Sequence, residues 1–287
     1  MTELYYNASN LIVSNGFVRN PSRYYLEEYF SKRPALNAEL NSPFSNANAT
    51  DLDGVTTIRI AEKVANKDFE VLGVNMTTAL VTFPDDENSC GINLKTGTSV
   101  NDQAILLPHL VTNQTAWSGC KWNTSKEVEW DCAIKTSDNI VNICIWAGLK
   151  LTNTPTIATN DDQAYFIFAT DNNDNLATLT TNANLHFVYS KADKDYITDL
   201  GLKVEVSTLY RLKIKMDSSN KVSIFVNEAQ YGVFNTHARA GDTVADTTQK
   251  SQELTSVNLI PYIGVQTLKN SVAKNIDVCY EKISRVL

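Results

Sequence analysis

No Gly-x-Gly and no Gly-x-Ser-x-Gly occurs anywhere in the chain, and its eleven glycines are scattered singly. Phosphate cradles, dinucleotide turns and nucleophile elbows all need such clustering, so none is expected. Cys-x-x-Cys pairs are missing too. The five cysteines (Cys90, Cys120, Cys132, Cys144, Cys279) stand apart from the three histidines, which removes the usual zinc spacings. His109, His186 and His237 lie in strand or loop contexts without a nucleophile motif nearby, so no Ser-His-Asp triad is expected. No basic excess exists: 25 Lys and Arg face 32 Asp and Glu, a net charge of −7. That sign disfavours nucleic acid and anionic membrane surfaces as partners. No apolar run reaches the roughly 18 residues of a membrane span. The opening Met-Thr-Glu-Leu-Tyr-Tyr-Asn has neither the basic nor the apolar part of an export signal. With an odd cysteine count, this predicts reduced, buried thiols in a chain made in a cytoplasm.

What is present is apolar mass, 43% of residues against 20% charged, enough for a sizeable core. Residues 1–50 differ from the rest. Asn20 fits a helix N-cap and Pro21 the first helical position, which predicts a short helix through Arg23 to Phe30, ended by Pro34. An Asn-rich linker follows. We read 1–50 as an arm too small for its own core, which either meets a partner surface through Tyr24, Tyr25, Tyr29 and Phe30 or folds back on the main domain.

Residues 51–287 read as one all-β domain, with period-two patterning and β-branched and aromatic enrichment. Strands are expected at Glu70 to Val74, Thr78 to Phe83, Ala104 to Leu110, Glu127 to Ile134, Ile143 to Leu151 and Ala164 to Ala169. The clearest hairpin alternates Tyr210, Leu212, Ile214 and Met216, turns at Asp217-Ser218-Ser219-Asn220 and returns through Val222, Ile224 and Val226. A tighter turn is expected at Asn227-Glu228. Leu259 to Val265 and Asn275 to Tyr280 complete the pattern. Half-buried strands need a facing sheet, so the expected architecture is a two-sheet antiparallel sandwich.

Several segments carry a family likeness: Trp130 to Thr136, Ile145 to Asn153, Asp162 to Phe166, Tyr210 to Ile214, Phe225-Val226-Asn227 and Ile260 to Val265. From about Thr115 onward, about 60% of the chain, the sequence resembles concanavalin A-like lectin/glucanase jelly rolls. It resembles in particular the laminin-G-like versions found in marine phage particles. Glu228 stands where that pattern usually has glycine. The resemblance implies a virion structural protein: a capsid decoration, fibre or tail component, made in a host cytoplasm. Its partners would be other virion proteins or copies of itself in a homo-oligomer. It implies glycans as further partners, so a glycan-binding adhesin is the alternative, and a glycan hydrolase or lyase a third.

Each alternative has candidate residues. Glu127, Glu129 and Asp131 would project from one strand face about 6.5–7 Å apart, a separation an inverting glycosidase can use. The order Glu-Val-Glu-Trp-Asp departs from the Glu-x-Asp-x-x-Glu pattern of the glucanases, and a solvated face opposite Val128, Trp130 and Cys132 is the simpler expectation. Asp161, Asp162, Asp171 and Asp174 flank a strand with oxygen ligands suited to Ca²⁺ but without EF-hand spacing, so neither metal nor cofactor is expected. Trp117 and Trp122 lie in a polar stretch and are candidates for stacking on sugar rings. No enzymatic activity is expected.

Overall fold

The computed structural model describes residues 5–6, 12–14, 17–30, 34–36, 66–77, 80–84, 91–108, 122–151, 162–170, 183–191, 194–233, 237–238, 256–269 and 272–287. Three short strands, β1 (Tyr5–Tyr6), β2 (Ile12–Ser14) and β3 (Phe17–Arg19), form an antiparallel meander. The other described strands form two larger sheets.

The ten-stranded sheet runs β19 (His237–Ala238), β15 (Lys194–Lys203), β14 (Asn184–Lys191), β13 (Gln163–Ala169), β12 (Ile143–Lys150), β20 (Asn258–Thr267), β9 (Gln103–Pro108), β6 (Asn66–Leu72) and β5 (Pro34–Leu36), with β10 (Trp122–Asn123) beside β20. The eight-stranded sheet runs β18 (Ala229–Tyr231), β17 (Val222–Val226), β16 (Leu209–Met216), β11 (Glu129–Thr136), β21 (Asn275–Val286), β8 (Ile92–Lys95) and β7 (Val81–Thr82), with β4 (Arg23–Glu28) beside β21. Neighbours pair antiparallel throughout, except that β5 joins β6 in parallel. The consecutive strands β20 and β21 enter the middle of different sheets: β20 lies between β12 and β9, and β21 between β11 and the pair β8 and β4.

Patterning explains which faces are dry. β16 alternates, with Tyr210, Leu212, Ile214 and Met216 buried and the residues between them in contact with water, so the eight-stranded sheet is wet on one side. β12 and β13 are buried at every position. Their inward residues Ile145, Ala147, Leu149, Phe166 and Phe168 join Trp130, Cys132, Leu212 and Val278 in the core between the sheets. Their outward residues Cys144, Trp146, Tyr165 and Ile167 form a second apolar cluster with Ile105, Leu107 and Tyr262. Gly264 lies opposite Trp146, where a Cβ would come within 2.5 Å of the indole ring. Only glycine lets that ring lie flat against the sheet.

Both predicted turns form. Asp217 Oδ1 accepts from the backbone N–H of Ser219 at 2.8 Å and of Lys221 at 2.9 Å, closing the β16–β17 hairpin. Asn227 and Glu228 take φ of 50° and 68°, the left-handed pair that a two-residue hairpin turn demands.

The expected helix from Arg23 to Phe30 is instead the strand β4. Asn20 and Pro21 do shape the chain, since Asn20 Oδ1 accepts from Ser22 N–H at 2.9 Å, but the turn they make feeds an extended segment. β21 offers an open edge beyond Tyr280, and Arg23 to Glu28 pairs along it from Val286 to Glu281. Leu26 and Phe30 then reach the inter-sheet core. The segment read as an arm thus contributes β4 to one sheet and β5 to the other. Of the strand expected over Thr78 to Phe83, the described residues are regular at Val81–Thr82. The expectation of uniformly reduced thiols also fails. Cys132 and Cys144 are free and buried, whereas Cys279 is disulfide-bonded.

Candidate functional site

Of the three acids expected on one strand, β11 carries two. Glu127 precedes it, closing a 3₁₀ turn at Thr124–Lys126 with φ of 50°, and its carbonyl accepts from Arg23 Nη2 at 2.6 Å. Glu129 and Asp131 do share the outer face. Glu129 lies 3.5 Å from Lys215 Nζ and 3.9 Å from Arg23 Nη1. Asp131 lies 3.3 Å from Lys213 Nζ and accepts from the Tyr280 hydroxyl at 2.5 Å. Burial first, then this neighbouring carboxylate, push the Tyr280 phenol well above its ordinary range. The pair lines a cavity of about 250 Å³ with Asn20, Arg23, Tyr25, Lys213, Lys282 and Ser284. Each carboxylate is held by a cation on an adjacent strand, an arrangement of cross-strand ion pairs.

Sequence reasoning missed a third acid. Glu281 is fully buried, and its Oε1 accepts from Trp130 Nε1–H at 2.9 Å. Ile276 and Val278 set a period that would turn Glu281 outward. A β-bulge at Cys279 shifts the register against Ala133 and Ile134, so Tyr280 faces out and Glu281 faces the core. Burial raises its carboxyl to about 8, opposed by the Trp130 hydrogen bond. Nothing in the sequence marks that bulge.

The outer face of the ten-stranded sheet combines rings and buried polar groups. Trp146 stacks with Tyr262 at 6.1 Å between centroids, and Lys150 Nζ lies 4.7 Å over the Tyr262 ring. Lys150 is 1% exposed, and burial lowers its ammonium to about 7. Gln163 Nε2 donates to Ser190 Oγ at 2.9 Å, and His186 Nε2 lies 3.7 Å from Asp199 Oδ2.

A groove of about 500 Å³ opens at one end of the eight-stranded sheet. Thr82, Asn93, Asp277 and Lys135 follow one another across its floor in register. Phe83 and Pro84 wall it on one side, Ser137, Asp138 and Ser207 on the other.

The remaining sequence candidates disperse. Trp122 is 2% exposed, its ring 5.7 Å from that of Tyr24, and Asp162 is buried. Trp117, Asp161, Asp171 and Asp174 lie outside the described residues. Among the described residues no three His, Cys, Asp or Glu are grouped to hold a metal ion. Of the aromatic contacts assigned to the arm, Phe30 packs edge-on against Phe69 in the core, and Tyr29 is exposed beside Tyr280. Tyr24 borders Arg285, and Tyr25 lies under Lys282.

No family model and no curated protein sequence matches the chain. Solved structures do match in shape. A protein of unknown function from Shewanella oneidensis superposes with a TM-score of 0.52 at 13% identity, covering 93% of this chain and 87% of its own. A family 16 endo-glucanase from Bacteroides ovatus gives 0.47 at 9% identity, over 76% and 95% of the two chains. Peanut lectin gives 0.45 at 11%, over 92% and 98%. At such identities likeness speaks of fold alone: this is an all-β chain folded as a two-sheet antiparallel jelly-roll sandwich.

Proposed function

We propose that the chain is a structural protein of a virus particle, a decoration, fibre or tail component whose lectin-like sandwich supplies shape and attachment rather than catalysis. The observation that carries the non-catalytic part is the engagement of Glu129 and Asp131 by Arg23, Lys213 and Lys215: both carboxylates that β11 turns to its cavity are already paired with cations. The virion part rests on the likeness of Trp130 to Thr136, Ile145 to Asn153 and Ile260 to Val265 to the jelly rolls of phage particles. Mass spectrometry of purified particles tests it: peptides of this chain should co-purify at fixed ratio to the coat protein, and their confinement to the soluble lysate would refute the assignment. The purified protein should also release no reducing sugar from β-glucans; release abolished by Glu129→Gln would establish catalysis instead. A second reading, a glycan-binding adhesin, is favoured by the polar groove beside Phe83.

A further inference from the structure

We propose that the groove between the β7 end and the turn after β11 binds a neutral sugar, with Phe83 as the stacking surface and Asn93 and Asp277 as hydroxyl partners. This rests on the second reading above and gives it a site and a ligand class; particle composition has no bearing on it.

Size comes first. About 500 Å³ falls within the range of small-molecule sites and suits one or two hexose rings. The floor is built from strands, not from loops alone. Asn93 on β8 donates from Nδ2 to Asp277 Oδ1 on β21 at 2.7 Å, which holds the amide against the carboxylate. Among the described residues neither side chain makes another hydrogen bond, so one amide N–H, the amide oxygen and the second carboxylate oxygen remain for a ligand. That mixture of a donor and acceptors on rigid, adjacent strands matches neighbouring hydroxyl groups, each of which both donates and accepts.

Phe83 supplies the apolar half. The residue is 49% exposed, although Val81 two residues earlier is buried in the core. A half-wet aromatic ring beside polar groups suits the C–H face of a pyranose, which covers the ring while its hydroxyls stay hydrogen-bonded. Charge narrows the class. Among the described residues Lys135 is the single cation lining the groove, against the carboxylates of Asp138 and Asp277, so the local field disfavours phosphate, sulfate or uronate groups. Glu129 and Asp131 lie on the same face in a separate cavity and take no part.

Saturation-transfer difference NMR on the full chain, with glucose, galactose, mannose, N-acetylglucosamine and glucuronate as probes, tests the site. At least one of the four neutral sugars should give a signal, and glucuronate a weaker one. Phe83→Ala should weaken the binding about tenfold, as loss of about 1.4 kcal/mol of ring contact implies. Asp277→Asn should weaken it as well, and both side chains sit at the surface, so unchanged circular dichroism is expected. Silence from all four neutral sugars, a stronger response to glucuronate, or a signal undiminished in either variant would overturn the proposal.

Discussion

Replacing Glu281 by Gln tests the most unusual group in the core. The carboxyl is fully buried, opposite Cys132 on β11 and Glu28 on β4, with Trp130 Nε1 as its hydrogen-bond donor. Its Oε2 has no hydrogen-bond partner. Burial lifts the carboxyl from 4.5 in the unfolded chain to about 8 in the folded one. The folded state therefore keeps a proton that the unfolded state releases above pH 4.5. Its contribution is fully present below that pH and is lost as pH climbs toward about 8. At about 1.4 kcal/mol per pH unit, the wild-type protein should lose about 3 kcal/mol between pH 5 and pH 8 through this one group. Gln keeps the acceptor for Trp130 and does not titrate. Urea unfolding followed by tryptophan fluorescence across that pH range should give two curves that diverge, with Gln gaining about 3 kcal/mol on the wild type by pH 8. The difference between the two curves cancels every other ionisable group, and whatever the new amide costs enters only as an offset independent of pH. Parallel curves would show that Glu281 is ionised in the fold and that the burial argument is wrong.

Two backbone positions give further tests by urea unfolding. Gly264→Ala forces a methyl to within 2.5 Å of the Trp146 ring and should destabilise by about 1–3 kcal/mol; an unchanged midpoint would mean the ring is free to move. Glu228→Gly relieves a side chain held at φ 68° in the β17–β18 turn and should stabilise by about 0.5 kcal/mol, whereas a loss would show that the glutamate makes a compensating contact.

Legibility in the sequence followed solvent exposure. Tyr210 to Met216 announced itself because one side of β16 is wet, so polar and apolar residues must alternate. Ile143 to Lys150 was readable for the opposite reason, being dry on both sides. Arg23 to Glu28 misled because Asn-Pro followed by polar and aromatic residues opens a helix and an Asx turn equally well. The decision lay with the open edge of β21, more than 250 positions away. The bulge at Cys279 is hidden in the same way, since Val-Cys-Tyr-Glu carries no turn signal, and it alone puts Glu281 inside and Tyr280 beside Asp131. The groove was invisible for a related reason. Phe83, Asn93, Lys135 and Asp277 come from four stretches that only the strand order brings together.

The placement of β20 and β21 has a consequence for how the protein is made. Until residues 258–286 leave the ribosome, β12 has only its β13 partner and β11 only its β16 partner, so each half-built layer presents a long unsatisfied flank of peptide groups. β16 supplies one side of β11 at residues 209–216, and only the last two strands seal the rest, one in each layer. Closure of both layers is thus a single late event. Nascent chains stalled in the polar stretch before Asn258 should be the species that aggregates or recruits chaperones.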